Sequence, residues 1–230
     1  FEKIREDGLY CADYDAESVR ELYVNGRKAE RARSEKKIKP ISLYEENGKK
    51  KGFKISSEDI GLYENPGDIQ ICYDRSWRTL LLNAENIISS DDGSFILTLK
   101  QPEFEYATAE NGAGYAFWVD GENSFYLENA PELLDRENEF YYDRTNKKLY
   151  YKSETADMSN AEVYAPKLEK ILEVKGNSLD KKAENITFKG ITFEAGAYKK
   201  ADEGYLGDQA QRFETLGNLE SGYSLDETVK

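Results

Sequence analysis

The chain has 230 residues, with 45 Asp and Glu against 32 Lys and Arg, a formal net charge of −13 and no histidine. So acidic a balance disfavours nucleic acid, which needs a basic face to displace counterions, and disfavours an anionic membrane surface for the same reason. Without histidine there is no Ser-His-Asp or Cys-His chemistry and no His-ligated zinc, and neither a cofactor nor a metal is expected.

The 17 Tyr and 10 Phe exclude a disordered chain and favour strands over helices. Two cysteines, Cys11 and Cys72, are too few for a disulfide framework and read as idle thiols. The densest apolar run, residues 79–84, has the length of a strand rather than of a membrane span.

In chain order, "RELYVNGRKAERAR" (20–33) predicts a hairpin, because Asn25-Gly26 tolerates the positive φ of a type I′ turn. Residues 34–51 are charge-rich and read as a surface excursion, followed by a strand over 52–56. Ser57 predicts a short capped helical turn that stops at Asn65-Pro66-Gly67. "DIQICYD" (68–74) alternates Ile69, Ile71 and Tyr73 on one face, and strands over 77–88 and 94–100 flank a turn at 89–93. Further along, "NSFYLEN" (123–129) reads as a strand and "APELLD" (130–135) as a helical turn. A hairpin over 139–152 closes around Thr145-Asn146, and 161–166 and 170–176 supply two more strands. "NITFKGITFEAG" (185–196) differs: two alternating apolar pairs flank Gly190, as where a parallel β-solenoid turns a corner. No second such unit follows, so the solenoid is unfinished and a longer parent chain is expected.

Four stretches, "RELYVNGRKAERAR", "FYLENAPELLD" (125–135), "EFYYDRTNKKLYYK" (139–152) and "NITFKGITFEAGAY" (185–198), stand here in the order seen in GH141-like right-handed parallel β-helix glycoside hydrolases. The chain resembles that family, in which an inserted β-rich domain interrupts the β-helix near its start. The resemblance implies an all-β fold. It places a barrel- or sandwich-like insertion domain at residues 1–178, and the first turn of the β-helix with a polar tail at 179–230. The sequence departs from the family pattern at Glu137-Asn138-Glu139-Phe140-Tyr141, where Pro-Gly-Glu-Trp-Tyr is common. It departs again at Lys147, where a glycine often closes the hairpin. Family activities include α-L-fucosidase and xylanase, carried by carboxylates on later β-helix rungs. No position here matches them, so no catalytic residue is assigned.

Three groups of side chains compete for a role. Arg27, Arg31 and Arg33 have the forked geometry of an anion clamp, but with so many carboxylates available the preferred reading is a structural charge cluster. Tyr142, Tyr151, Trp77 and Trp118 are candidates for sugar contact, provided that they face outward on their strands. Glycoside hydrolysis needs two convergent carboxylates, and Glu128 with Asp135, Glu139 with Asp143, and Glu194 with Asp202 are formally available. Each reads first as solvated surface charge, and the Asp91-Asp92-Gly93 turn needs no calcium.

The expected protein is an ancillary segment of a carbohydrate-active parent, capping its β-helix and lining its groove, inactive alone. It reaches polysaccharide or oligosaccharide through that parent, outside the cytoplasm or at the cell surface. The alternatives are an autonomous carbohydrate-binding module and a structural or adhesive β-solenoid.

Overall fold

The computed structural model describes residues 1–75, 78–108, 124–155, 157–178, 180–207 and 213–214. Its first strands are β1 (Glu2–Arg5), β2 (Leu9–Asp13), β3 (Tyr23–Val24), β4 (Arg27–Lys28) and β5 (Glu30–Arg31). The middle of the chain supplies β6 (Ser42–Glu46), β7 (Lys49–Ile55), β8 (Gln70–Arg75), β9 (Arg78–Ser89), β10 (Phe95–Leu99) and the five-residue helix α1 (Glu103–Ala107). Then come β11 (Tyr126–Glu128), β12 (Glu139–Asp143), β13 (Lys148–Lys152), β14 (Val163–Tyr164), β15 (Tyr205–Gly207) and β16 (Phe213–Glu214). The fold is all-β, as expected.

One sheet runs β1-β2-β13-β12-β5 and a second runs β11-β8-β9-β10-β7-β6, with β15 also on β9. A small third sheet, β14-β3-β4, holds the first hairpin. Asn25 and Gly26 both take positive φ (52° and 73°), as a type I′ turn requires. Apolar alternation then builds the main core. Ile69, Ile71 and Tyr73 of the β8 region, Leu80 and Leu82 of β9, and Leu97 and Leu99 of β10 all face it. Phe53 sits at the centre, its ring 5.3 Å from Phe104 and 5.1 Å from Phe125. Burying each of these rings contributes on the order of 2 kcal/mol. Gly52 is required beside them, because a Cβ there would collide with the Leu97 carbonyl of the adjacent strand.

The β12–β13 sheet is covered on both sides. Tyr141 enters the main core, while Phe140, Tyr142, Leu149 and Tyr151 form a second core with Leu22 and Val24. All five positions of β12 are therefore buried.

Several elements differ from expectation. The charged excursion at 34–51 contains a second hairpin, β6–β7, whose turn residues Asn47 and Gly48 repeat the positive φ values of the first. The expected capped turn is a single turn set by Ser56 rather than Ser57: its carbonyl accepts from the Asp59 and Ile60 N–H groups and its hydroxyl from Glu58 N–H, and no helix follows. Pro66 starts a 3-10 turn (Pro66–Asp68) instead of ending one. Proline suits a first helical position, where its missing N–H removes no bond. Residues 170–176 form no strand, since nothing pairs with them among the described residues. Residues 200–207 are not a free tail: a 3-10 turn (Lys200–Glu203) and β15 return to β9, with Tyr205 opposite Leu81.

Candidate functional site

The basic arm is the bridge between the two large sheets. Glu30 and Ala32 N–H groups donate to the carbonyls of Asn138 and Phe140, at 2.9 and 2.8 Å, so the arm first lies beside β12. Two residues later it lies beside β11, with Ser34 N–H donating to Leu127 and Asn129 N–H to Ala32. Strand alternation then sends Ala32 into the core and Arg31 and Arg33 together to the opposite face.

What they meet is a row of polar residues laid across three strands. Register places Glu128 of β11 opposite Gln70 of β8, and Gln70 opposite Asn83 of β9. All three are buried. Arg33 Nε donates to Glu128 Oε1 at 2.9 Å, and its Nη2 reaches the same oxygen. Arg31 Nη1 lies 3.5 Å from Glu128 Oε2 and 3.0 Å from Gln70 Oε1. Arg20 donates to Gln70 Oε1 at 2.6 Å and holds Glu128 at 3.9 Å. The Gln70 amide donates onward to Asn83 Oδ1 (3.1 Å) and to the Ala201 carbonyl (2.7 Å), which fixes the returning 3-10 turn over the row. Asn83 then donates, through its N–H and side chain, to Glu103 at 2.8 and 3.2 Å.

Charge sets the titration of this row. Burial opposes ionisation of Glu128, yet the joint pull of Arg31, Arg33 and Arg20 holds its carboxyl below the usual range. Burial, together with repulsion from Arg20 and Arg144, lowers Arg31 to about 10. At the far end, burial pushes the Glu103 carboxyl up to about 7 against the two Asn83 bonds. Gly204 covers Glu103 so closely that a Cβ would strike its carboxylate. A carboxyl titrating there has the range of a general acid, but this one is enclosed and only locks the turn in place.

Outside the row, Arg20, Lys28, Arg31 and Arg33 line a cleft of about 460 Å³ with Glu21, Glu30 and Glu128. Arg27 is not part of it. It stays on the exposed hairpin and pairs with Glu154 at 2.8 Å, because the arm turns away only after Lys28. The expected cluster of three is thus Arg31 and Arg33 with Arg20, the residue that opens the same sequence stretch. Its partner Glu128 carries no local signal, since β11 lies some hundred residues away along the chain.

The sugar-contact candidates fare differently. Tyr142 and Tyr151 are 1% and 3% exposed, so neither offers a ring face to solvent. The reason is the second core: alternation decides which core a β12 or β13 side chain enters, not whether it is buried. The Tyr142 hydroxyl donates to the Ala16 carbonyl (2.7 Å), and that of Tyr151 donates to Asn138 Oδ1 (3.2 Å). Trp77 and Trp118 lie outside the described residues.

Five of the six candidate carboxylates have structural partners, Glu128 among them in the row above. Glu139 and Asp143 sit at opposite ends of β12, about 13 Å apart along the strand, beyond the reach of a glycosidase pair. Glu139 is bound by Arg136, and Asp143 accepts from the Asn146 N–H to close its hairpin. Asp202 accepts from Ser18, and Asp135 lies 3.8 Å from Arg136. Asp92 accepts from the Ser94 hydroxyl and N–H in its own turn. Among the described residues no cluster of three potential metal ligands occurs. Cys11 and Cys72 are unpaired and lie on different sheets.

Two large sheets bridged by an inward Arg–Glu–Gln–Asn row define the architecture. The sequence matches the model of the GH141 insertion domain over residues 10–154, more than half of the chain. The chain belongs to that family. A solved glycoside hydrolase structure is similar, with a TM-score of 0.70 and 27% identity, over 88% of this chain and 36% of that one. The chain thus spans about a third of the length of the structure it resembles. The comparison with curated proteins finds no match.

Proposed function

We propose that this chain is a non-catalytic segment of a carbohydrate-active protein, which caps the edge of a parallel β-helix and walls one side of its substrate groove. The observation that supports it best is the segment 185–196. Positive φ recurs at Asn185, Gly190 and Ala195 (58°, 69° and 59°), five residues apart, as at successive corners of a coil. Between the corners, Ile186, Phe188, Ile191 and Phe193 stand about half exposed, with the two phenyl rings in edge contact at 5.6 Å. Leu168, Ile171, Leu172 and Val174 are exposed nearby in sequence. So many bare apolar side chains mark a surface that something covers, and the next rung of a solenoid covers its neighbour in this way. Placement outside the cytoplasm follows from a polysaccharide substrate.

Burial of Tyr142 and Tyr151 weighs against a sugar-binding face built on those two rings. The test is sugar release from a panel of aryl glycosides and polysaccharides, with this chain and a longer parent side by side. Release by the longer protein alone is expected. Release by these 230 residues would contradict the reading and return attention to their own carboxylates.

A further inference from the structure

The cleft beside the basic arm holds more positive charge than its own residues neutralise. Arg20, Lys28, Arg31 and Arg33 line it against Glu21, Glu30 and Glu128, four cations to three carboxylates. Glu128 is shared by three guanidiniums, and Glu21 lies 3.8 Å from Lys28. Beyond the wall, Arg144 and Asp68 offset one another at 3.9 Å, while Asp202 accepts from Ser18 outside the lining.

Arg31 shows where the deficit falls. Its side chain is nine-tenths buried, every polar contact it makes among the described residues runs through Nη1, and its Nε, shielded from solvent, has no partner among them. A buried guanidinium normally fills its donors, because an unmet buried donor loses its water without gaining a partner. Arg33 spends Nε and Nη2 on Glu128 and stacks on Tyr126 at 4.7 Å, a fixed pose that leaves Nη1 without a partner among the described residues. Planar forks held in place at the wall of an open cleft suit a planar anion. The surplus of one charge suits a monoanion better than a phosphate dianion.

We propose that this cleft binds the carboxylate of a single acidic sugar, a hexuronate, with the anion on the Arg20–Arg31–Arg33 wall and Lys28 at the mouth. The anion follows from the geometry; its being a sugar rests on the carbohydrate reading above. The cleft is of the size that takes small ligands. Its carboxylates Glu21 and Glu30 are acceptors for ring hydroxyls. Within a longer parent, such a site selects acidic regions of a polysaccharide.

The test is calorimetric titration of the chain with D-glucuronate and D-galacturonate, with glucose, galactose, acetate and sulfate as controls. Saturable binding of a uronate is expected, with neutral sugars, acetate and sulfate weaker by at least about tenfold. Lys28 is 58% exposed at its side chain, so Lys28→Glu preserves the fold and should weaken uronate binding about tenfold. Arg20→Ala, with folding checked by circular dichroism, should abolish it. No uronate saturation, or uronate affinity unchanged in Lys28→Glu, would overturn the proposal. So would acetate or sulfate binding as tightly as uronate, or a neutral sugar doing so. The cleft and the 185–196 segment share no residue, so a failed titration leaves the capping reading standing, and failure of sugar release leaves the cleft standing.

Discussion

The row from Arg33 to Glu103 and the segment from 168 to 196 belong to one chain but meet opposite demands. In the row, side chains are fixed by residues from other elements: Arg33 by Glu128 of β11, Gln70 by Ala201 of the returning turn, Asn83 by Glu103 of α1. In the segment, residues 182–196 form no strand and their apolar side chains stand in solvent. The first region is held together by its own cross-chain contacts, while the second leaves its apolar side chains bare in this chain. Buried polar rows of this kind add less stability than their contacts suggest, since desolvation offsets most of the attraction. What the row supplies is position: it sets the arm between two sheets and ties the returning turn to β9.

That contrast can be broken from its strongest side first. Glu128→Gln leaves three guanidiniums around a neutral amide. It should cost about 3–5 kcal/mol, the range for breaking a buried pair, read as a lower midpoint in urea unfolding. Because the folded pKa of Glu128 is depressed, its contribution is present above the unfolded value and fades as pH falls through the folded one. The variant should therefore lose part of the wild-type acid sensitivity.

Glu103 sharpens the comparison with the reverse sign. Its folded value of about 7 lies above the unfolded 4.5, so the folded state binds the extra proton between them. Stability from this group is full below 4.5 and lost as pH rises through about 7, by at most about 3 kcal/mol. Glu103→Gln should flatten the decline across that window. Parallel curves for variant and wild type would show that the carboxyl ionises freely.

Much of the first region was legible because local chemistry and global packing agree there. Asn25-Gly26 marks its turn, and Ile69, Ile71 and Tyr73 mark their face. Asn47-Gly48 carries the same turn signal, but the lysines and glutamates around it resemble a solvated loop. They are in fact an edge hairpin, where charge blunts unwanted pairing. Tyr142 and Tyr151 misled for a different reason. Period-two alternation separates two faces without saying that one is wet, and this sheet has a core on each side. At Lys147, where the resemblance leads one to expect glycine, the backbone sits at φ 54°, and its ammonium donates to the Ala16 carbonyl at 2.7 Å. Glu128 was not legible as a ligand of Arg31 and Arg33, because only strand register brings them together. The corner signal at Gly190 was legible, while its repetition at Asn185 and Ala195 needed backbone angles.

The most direct test of the capping account lies at the bare segment, where the smallest effect is expected in this chain. Ile186→Ser with Phe188→Ser should be compared by thermal unfolding in the 230 residues alone and in a longer parent. The account predicts a change within about 0.5 kcal/mol in the short chain, as for surface positions, and several times that in the parent, where the next rung would bury both side chains. An equal loss in the two proteins would mean that the segment is already packed within this chain, and would contradict the account.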